Sequence, residues 1–204
     1  MERLDPELLL KAYCNGIFPM DHEGEILWYA PDPRAILPLH HFHVPRSLQR
    51  TVKQQKFAIK VNSAFESVMR ACARAAPGRE STWISEEFIQ VYTELHRAGY
   101  AHSVESWRDG QLVGGLYGIS VNSFFAGESM FSYQRDASKV ALVALVERLR
   151  AREFTLLDVQ FTTPHLERFG VIEIPRHEYE RRLVRALSQQ NAFDHLPAHQ
   201  AENE

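Results

Sequence analysis

The spacing of apolar and polar positions changes along the chain, and each change predicts where one kind of element gives way to another. At the start, Leu8, Leu9 and Ala12 fall on one side of a predicted helix over residues 5–15. Glycines and prolines then punctuate residues 16–34, and the residue before each proline is driven away from helical backbone. We therefore expect the chain to begin with a small region that is rich in loops.

Helical and strand-like periods alternate more regularly through the middle of the chain. Asn62 or Ser63 can cap one helix, and Ser85 can cap the next, which ends before Gly99. The predicted elements are a helix near 45–53, a strand near 57–61, a helix that buries Phe65, Val68, Met69 and Cys72, and a helix that buries Phe88, Val91, Tyr92 and Leu95.

The second half of the chain carries two hairpin signals. Asp109-Gly110 suits a type I′ turn between strands over 103–107 and 111–119, and a turn near Asn122 returns the chain through 124–130. The other predicted elements are a helix over 137–151, a strand over 154–159, a short helical turn, a strand near 171–174, a helix over 176–188 and a polar tail over 189–204 that frays. Hairpins followed by a crossover helix and another strand predict an α+β fold, with helices packed on a mixed sheet.

Composition and charge narrow the classes of protein to consider. The 204 residues are 45% apolar and 24% charged, which is typical of a globular chain with a buried core. A net charge of -3 excludes a global basic field that would attract nucleic acid or an anionic membrane. The longest aliphatic run, 140–146, is too short for a membrane span, and the first residues show no signal-peptide pattern. With only Cys14 and Cys72 available for disulfides, we expect a protein of the reducing cytoplasm.

One segment departs from the acidic balance of the rest. Residues 46–80 carry eight basic residues against two acidic ones, and such a patch can bind the phosphate backbone of a nucleic acid. An ordinary solvated helix face accounts for the same residues equally well. The basic residues are Arg46, Arg50, Lys53, Lys56, Lys60, Arg70, Arg74 and Arg79, and the acidic ones are Glu66 and Glu80.

Three polar side chains stand on predicted strands, where they need a structural or functional reason. Alternation places Glu128 on one face with Ala126 and Met130, where a carboxylate requires either a structural ion pair or a cation brought by a ligand. Asp158 and Gln160 stand two residues apart at the end of an apolar strand, so both should point to one face. They form either a polar catalytic pair or a loop cap.

Other residues of types that take part in binding or catalysis have simpler structural explanations. Glycines 114, 115 and 118 inside a strand indicate either a bulge or a close approach of backbone or ligand. The leucines at 142, 145 and 149 follow helical spacing and predict a core stripe. The ten histidines show no metal-ligand spacing, and no Walker loop, nucleophile elbow or dinucleotide fingerprint occurs.

Eight short motifs occur in order between about residues 8 and 180. They are Tyr13-Cys14-Asn15-Gly16-Ile17-Phe18-Pro19-Met20, Trp28-Tyr29-Ala30-Pro31-Asp32-Pro33-Arg34, Thr82-Trp83-Ile84, Ala101-His102-Ser103-Val104-Glu105, Gly114-Gly115-Leu116-Tyr117-Gly118, Gly127-Glu128-Ser129-Met130-Phe131, Ala137-Ser138-Lys139 and Asp158-Val159-Gln160. Each motif is weak alone, but in this order and spacing they resemble the bacterial leucyl/phenylalanyl-tRNA–protein transferase family.

The resemblance implies a small N-terminal domain over 1–61 and, over 62–188, a domain with the fold of the GCN5-related acetyltransferases. It implies transfer of Leu, Phe or, less efficiently, Met from aminoacyl-tRNA to the α-amino group of proteins that begin with Arg or Lys. The modified proteins then enter the bacterial N-degron (N-end rule) degradation pathway. The resemblance further implies a cytoplasmic monomer that binds no membrane and needs no metal, ATP or other cofactor, because the aminoacyl ester is already activated.

The resemblance also assigns roles to residues of this chain. Glu128 matches the acidic residue that holds the acceptor's N-terminal Arg or Lys, and Asp158 and Gln160 match the proposed catalytic pair. The apolar pocket for the transferred side chain corresponds to Leu116, Phe125, Leu142, Leu145, Leu149 and Leu157; the positions at the tRNA 3′ adenosine to Met20 and Trp83; and the basic positions facing the acceptor stem to Arg46, Arg50 and Lys53.

The predicted chemistry does not require a strong base. An α-amino group with a pKa of about 7.7–8.0 is already roughly one-tenth neutral near pH 7. We hypothesise that Gln160 accepts a hydrogen bond from this amine, while Asp158 orients Gln160 and stabilises the developing positive charge. The alternatives are a non-catalytic tRNA- or peptide-binding module and an acyl-CoA-dependent N-acetyltransferase, although the glycine-rich pyrophosphate loop of that class is missing after Met130.

Overall fold

The computed structural model describes residues 4–75 and 82–194. Its strands are β1 (Phe18–His22), β2 (Glu25–Tyr29), β3 (Arg34–Ile36), β4 (Ala58–Val61), β5 (Ala101–Arg108), β6 (Gln111–Val121), β7 (Phe124–Ser132), β8 (Leu156–Gln160) and β9 (Ile172–Ile174). Its helices are α1 (Pro6–Cys14), α2 (Arg46–Lys53), α3 (Phe65–Cys72), α4 (Glu86–Arg97), α5 (Ala137–Ala151), α6 (Pro164–Glu167) and α7 (Arg176–Leu187), with a short 3-10 helix over Leu39–His41.

A seven-stranded mixed sheet organises these elements, in the order β4-β5-β6-β7-β8-β3-β9. Neighbouring strands are antiparallel except for β7 and β8, which run parallel and are connected through α5. Tyr117 and Leu116 of β6 belong to different apolar clusters, one shared with α1, α3, α4 and α7, the other with α2 and α5. Helices therefore cover both faces of the sheet, which confirms the predicted α+β class.

The hairpin turns and the crossover helix follow the sequence prediction closely. Asp109 and Gly110 both adopt positive φ angles, 51° and 76°, as a type I′ turn requires. Asn122, at the second turn, has a φ of 52°. Helix α5 covers the predicted residues from first to last. Short-range turn chemistry and helical periodicity thus suffice for this part of the fold.

The first part of the chain is more ordered than its loop-rich pattern suggests. Strands β1 and β2 form an antiparallel hairpin that the sequence analysis did not predict. Strand β3, also unpredicted, lies between β8 and β9 in the main sheet, and β4 forms the sheet edge beside β5. The segment 1–61, expected as a separate domain, therefore supplies two strands to the main sheet.

The predicted N-cap of α3 is wrong. Helix α3 follows Ala64, and the side chain of Asn62 turns away to hydrogen-bond the Ser103 backbone amide. The buried carboxylate of Glu105 instead accepts hydrogen bonds from the amides of Ser63 and Ala64. A neighbouring strand thus provides the anion that the free amides at the start of a helix attract.

The start of the C-terminal segment is packed rather than frayed, which corrects the prediction for residues 189–194. Phe193 is 2% exposed and stacks on His102, with a ring-centroid distance of 4.3 Å. The Arg148 guanidinium lies over the Phe193 ring and donates a hydrogen bond to its carbonyl oxygen. One aromatic side chain anchors the segment, whereas residues 195–204 of the predicted tail lie outside the described part of the chain.

The described residues include no candidate for a membrane-spanning helix. None of the helices within 4–75 and 82–194 combines the length and hydropathy needed to cross a bilayer.

Candidate active site

A cavity opens where the parallel strands β7 and β8 separate. The two strands pair over only three residues each, from Phe124 to Ala126 and from Leu156 to Asp158. Beyond these pairs lies an open cavity of about 500 Å³, whose wall comes from β6, β7, α5, β8 and the segment that follows β8. The interrupted pairing therefore makes room for a ligand in the middle of the sheet.

Glu128 reaches this cavity through a β-bulge. Tyr117 pairs with Ser129 and Gly118 pairs with Gly127, so Glu128 is the extra residue of β7. A Cβ atom at Gly118 would overlap the backbone of β7, which explains why glycine occupies that position. The bulge and the close backbone approach, two alternatives from the sequence, are thus the same feature.

The carboxyl group of Glu128 lies beside two tyrosine hydroxyls. Tyr13 and Tyr92 hydrogen-bond each other through their hydroxyls, with an O–O distance of 2.5 Å, and both interact with Glu128. Burial raises the pKa of Glu128 to about 8, the negative charge of Asp158 adds to the rise, and Arg34 and the tyrosines offset it only in part. Because the Arg34 guanidinium is paired with Asp158, Glu128 is suited to a cation brought by a ligand.

Asp158 lies in a fully paired environment below the cavity. Its Oδ1 accepts hydrogen bonds from Arg34 Nε at 3.0 Å and from the Gln160 amide at 2.9 Å. Its Oδ2 accepts from Arg34 Nη2 at 2.6 Å and from the Tyr179 hydroxyl at 2.9 Å. Arg34 also donates to the Gly16 carbonyl and lies over the aromatic rings of Phe18 and Tyr179. A carboxylate engaged in this way is poorly suited to take a proton from a substrate.

Gln160 joins the two carboxyl groups. Its backbone amide binds Asp158, and its side-chain Nε2 donates to Glu128 Oε1 over 3.5 Å. The expectation that Asp158 and Gln160 share a face is wrong, because Gln160 adopts a left-handed φ of 60° and lines the cavity together with Leu157 and Val159. Asp158 therefore orients Gln160 through the main chain rather than through the side-chain amide.

The six residues of the predicted apolar pocket fall into two groups, those that line the cavity and those buried in the core behind it. Leu116, Leu142, Leu145 and Leu157 line the cavity. Phe125 and Leu149 do not line it; both side chains are 0% exposed and belong to the core on that side of the sheet. The predicted leucine stripe of α5 is thus partly cavity wall and partly core.

His165, which the sequence analysis left without a role, also lines the cavity. Its Nε2 is buried and has no hydrogen-bond partner among the described residues. Burial lowers the pKa of His165, and the positive charges of Lys139 and Arg168 lower it further. Within residues 4–75 and 82–194, no group of three or more His, Cys, Asp or Glu side chains is arranged to hold a metal ion.

Met20 and Trp83 lie outside the cavity wall but on connected backbone. The Asp21 amide, next to Met20, donates to the Trp83 carbonyl at 3.3 Å. Both side chains are partly buried against the same apolar cluster, and Trp83 meets the ring of Phe88 edge-on at 5.8 Å. The structure therefore brings these two predicted positions together, with part of each side chain accessible.

The basic segment separates into free and neutralised parts. Arg46, Arg50 and Lys53 are exposed and follow helical spacing on α2. Arg70 is different, since it forms ion pairs with Glu66 and Glu86 at 2.8 Å each. The predicted Arg79 and Glu80 lie outside the described residues. Exposed cations of this segment therefore lie both on α2 and, at Lys56, Lys60 and Arg74, beyond it.

Sequence reasoning missed the residues that hold the site in place. The two tyrosines beside Glu128 are 79 residues apart in the chain, and Arg34 is 124 residues from Asp158. Tyr13, Arg34 and Asp158 occur in the short motifs, whereas Tyr92 does not, and no local pattern predicts these pairings, because they depend on how β3, α1, α4 and β8 meet in space.

Comparisons with known proteins agree on one family. The family model described as leucyl/phenylalanyl-tRNA protein transferase matches residues 36–184, and a model of the N-terminal domain of the same family matches residues 2–32. A leucyl/phenylalanyl-tRNA–protein transferase of Herpetosiphon aurantiacus is 60% identical over 187 residues, which are 91% of this chain and 96% of the relative. Its counterpart in Salinibacter ruber is 55% identical over 186 residues, covering 90% of this chain and 80% of the relative.

Solved structures with related architecture are much more distant. L-PGS from Bacillus licheniformis is 13% identical with a TM-score of 0.42, and the match covers 81% of this chain and 56% of that chain. A GCN5-related N-acetyltransferase-like protein from Streptococcus suis is 14% identical with a TM-score of 0.38, covering 82% of this chain and 63% of that chain.

Proposed function

Because the chain belongs to the leucyl/phenylalanyl-tRNA–protein transferase family, whose members are aminoacyltransferases, we propose that it transfers Leu, Phe and, less efficiently, Met to proteins that begin with Arg or Lys. The observation that carries this proposal is a carboxyl group without its own cation, Glu128, in the wall of a largely apolar cavity. Such a site can hold an apolar side chain and a cationic one next to each other.

The apolar part of the cavity suits the transferred residue. Leu116, Leu142, Leu145 and Leu157 offer aliphatic surface, and a volume of about 500 Å³ admits a Leu, Phe or Met side chain. Such pockets separate side chains of similar size by only about 1–3 kcal/mol, so several related amino acids should be accepted. The tRNA would approach with its 3′ adenosine near Met20 and Trp83, and with its acceptor stem along the basic face of α2.

The polar part of the cavity suits the acceptor. An N-terminal Arg can form two parallel charge-assisted hydrogen bonds with Glu128, whereas a Lys ammonium makes a single point contact. Either cation favours the carboxylate over the acid, so acceptor binding should expel the proton that Glu128 holds near pH 7. The hydroxyls of Tyr13 and Tyr92 then stabilise the new negative charge.

Gln160 positions the nucleophile in this scheme. With Nε2 turned toward Glu128, its carbonyl oxygen can accept a hydrogen bond from the neutral α-amino group and direct the nitrogen lone pair at the ester carbon. The new C–N bond replaces the ester C–O bond, and the proton lost by the amine passes to the ribose oxygen of the departing tRNA. Asp158, neutralised by Arg34, holds the Gln160 backbone and does not act as a base.

We further propose that the reaction takes place in the cytoplasm on a monomeric enzyme without a cofactor. Its products would carry an additional N-terminal Leu, Phe or Met, joined to the original Arg or Lys by a new peptide bond, and would thereby enter the N-degron degradation pathway. The site itself supports only the transfer, so the degradation step rests on the family relationship.

The first test uses radiolabelled leucyl-tRNA and two model proteins that differ only in an N-terminal Arg or Glu. We expect transfer to the Arg protein alone, and a large loss with Glu128→Gln. Glu147→Gln is a matched control, because it makes the same change on the exposed face of α5. Binding of tRNA without transfer would indicate a non-catalytic module, and absence of both would favour an acyl-CoA-dependent enzyme.

A further inference from the structure

A second, polar cleft lies at the end of the sheet where β7 and β8 terminate. Its volume is about 320 Å³, and its walls come from α2, the chain that follows α2, the β5–β6 turn and the loop before α5. The β5–β6 turn and the start of α5 belong to this same end of the sheet, because β6 runs antiparallel to β7. The cleft and the cavity of Glu128 therefore open at one end of the molecule.

Three cations from distant parts of the chain converge on this cleft. They are Lys56, Arg108 and Arg135, all of them exposed. Asp136 also lines the cleft, where its carboxylate pairs with Lys139 at 2.7 Å and with Arg135 at 3.8 Å, and Arg108 pairs with the exposed Asp109 at 3.6 Å. Lys56, Arg108, Arg135 and Lys139 outnumber these two carboxylates, so the cleft keeps a positive charge, to which the basic segment 46–80 contributes only Lys56.

The remaining lining groups suit an anion with oxygen acceptors. Ser47 and Thr51 stand one helical turn apart on α2 and line the cleft; the Thr51 hydroxyl donates to the Ser47 carbonyl, which leaves the Ser47 hydroxyl as the donor for a ligand. Each lies one residue after Arg46 or Arg50, about 100° further around the helix, so the cleft adjoins the basic face of α2. An extended polyanion on that face can place a neighbouring charge in the cleft.

The geometry points to a phosphodiester of the tRNA sugar–phosphate backbone as the ligand of this cleft; the inference rests on the proposed function. A nucleic acid backbone fits better than an isolated anion because α2 supplies both Ser47 and Thr51 in the cleft wall and the exposed row of Arg46, Arg50 and Lys53. The start of α5 also links the cleft to the cavity, since the charge of Lys139 acts on His165 in the cavity wall. One tRNA molecule can therefore contact α2, the cleft and the catalytic cavity.

The test measures the affinity for deacylated leucine tRNA at several salt concentrations, with Lys56→Ala, Arg108→Ala and the double variant. One lost phosphate contact should weaken binding about fivefold at 0.15 M salt and lower the log–log salt slope by about one. The double variant should lose roughly 30-fold. Arg97→Ala removes one exposed charge at the end of α4, toward the opposite end of the sheet, and should change neither quantity.

A second readout separates this inference from the proposed function. Transfer from 3′-leucyl-adenosine, which lacks the acceptor stem, should be unchanged in the variants, whereas the KM for leucyl-tRNA rises. Wild-type affinity and salt slope in the double variant, or equal losses with Arg97→Ala, would overturn the inference. Loss of transfer from both donors would overturn it too, since the cleft would then support the catalytic cavity. An inactive wild-type protein would refute the proposed function, while tRNA binding would still test the cleft.

Discussion

Two carboxyl groups lie at the same candidate active site, but the protein pairs only one of them with a cation. Asp158 accepts four hydrogen bonds, two of them from the buried Arg34 guanidinium. Among the described residues, Glu128 interacts directly with two hydroxyls and one amide, and burial raises its pKa to about 8 although the charge of Arg34 acts against the rise. The comparison separates a charge that the fold itself neutralises from a carboxyl group that, under the proposed function, the cation of the substrate neutralises. A buried carboxyl group is a better candidate for ligand recognition when the protein leaves it without a cation.

The largest effect is expected from breaking the pair at Asp158. Arg34→Met leaves a buried carboxylate without its cation, and Asp158→Asn leaves a buried guanidinium without its anion. Each change should lower the free energy of unfolding by about 3–5 kcal/mol, as measured by urea denaturation. The double variant should be more stable than the sum of the two losses predicts, because it removes both charges. Strictly additive losses would show that the pair contributes no coupling energy.

Glu128→Gln should raise the free energy of unfolding rather than lower it. A carboxyl group whose pKa is raised on folding destabilises the native state increasingly from about pH 4.5 up to about pH 8, as ionisation becomes costly. The glutamine variant escapes this cost, so its advantage should grow with pH and reach up to about 5 kcal/mol above pH 8, since each unit of the pKa difference corresponds to about 1.4 kcal/mol. Urea denaturation at pH 5, 7 and 9 checks the trend. A constant difference across that range would mean that Glu128 is already ionised in the free protein.

Acceptor binding should release a proton. With a pKa of about 8, roughly 0.9 of the Glu128 carboxyl groups are protonated at pH 7, and a bound guanidinium should ionise them. Calorimetry of an Arg-initiated peptide in two buffers of different ionisation enthalpy measures the protons released. The release should vanish in Glu128→Gln, and it should persist in Glu147→Gln. Equal heats in the two buffers for the wild type would contradict this prediction.

The smallest effect is expected from the tyrosine pair. Tyr92→Phe removes one hydroxyl beside Glu128 and leaves the ring packed against Phe88 and Tyr117. The KM for the acceptor should rise roughly fivefold, which corresponds to a loss of about 1 kcal/mol of binding free energy, with little change in kcat. Tyr100→Phe, a change on an exposed tyrosine, is the control. A loss confined to kcat would assign the hydroxyl to the chemical step instead.

Sequence patterns predict the fold best where interactions are local. The Asp109-Gly110 turn and the whole of α5 follow from turn chemistry and helical spacing within a few residues. The β1–β2 hairpin and the insertion of β3 into the sheet do not, since short strands between prolines carry little periodic signal. Phe193 escaped prediction because a single aromatic residue in a polar segment shows no period at all.

For the candidate active site, the sequence supplied candidate residues, whose roles stay predictions, but it did not supply their geometry. Strand alternation is insufficient for Glu128 and Gln160, because a bulge and a left-handed backbone redirect them. The cation that neutralises Asp158 lies 124 residues away in sequence, beyond any local pattern. The resemblance to a known family supplied candidate roles, while the pairing of charges became visible only once the strands were placed beside one another.

The bulge in β7 also makes the site sensitive to in-frame deletions. Removing one residue at the bulge would let β6 and β7 pair regularly, and a Glu128 that remained would then occupy an ordinary paired position opposite Tyr117 or Gly118. Glu128 could then persist in the gene product while its carboxyl group no longer reached the cavity. Natural variants of this enzyme should therefore tolerate substitutions in β7 more readily than changes in its length.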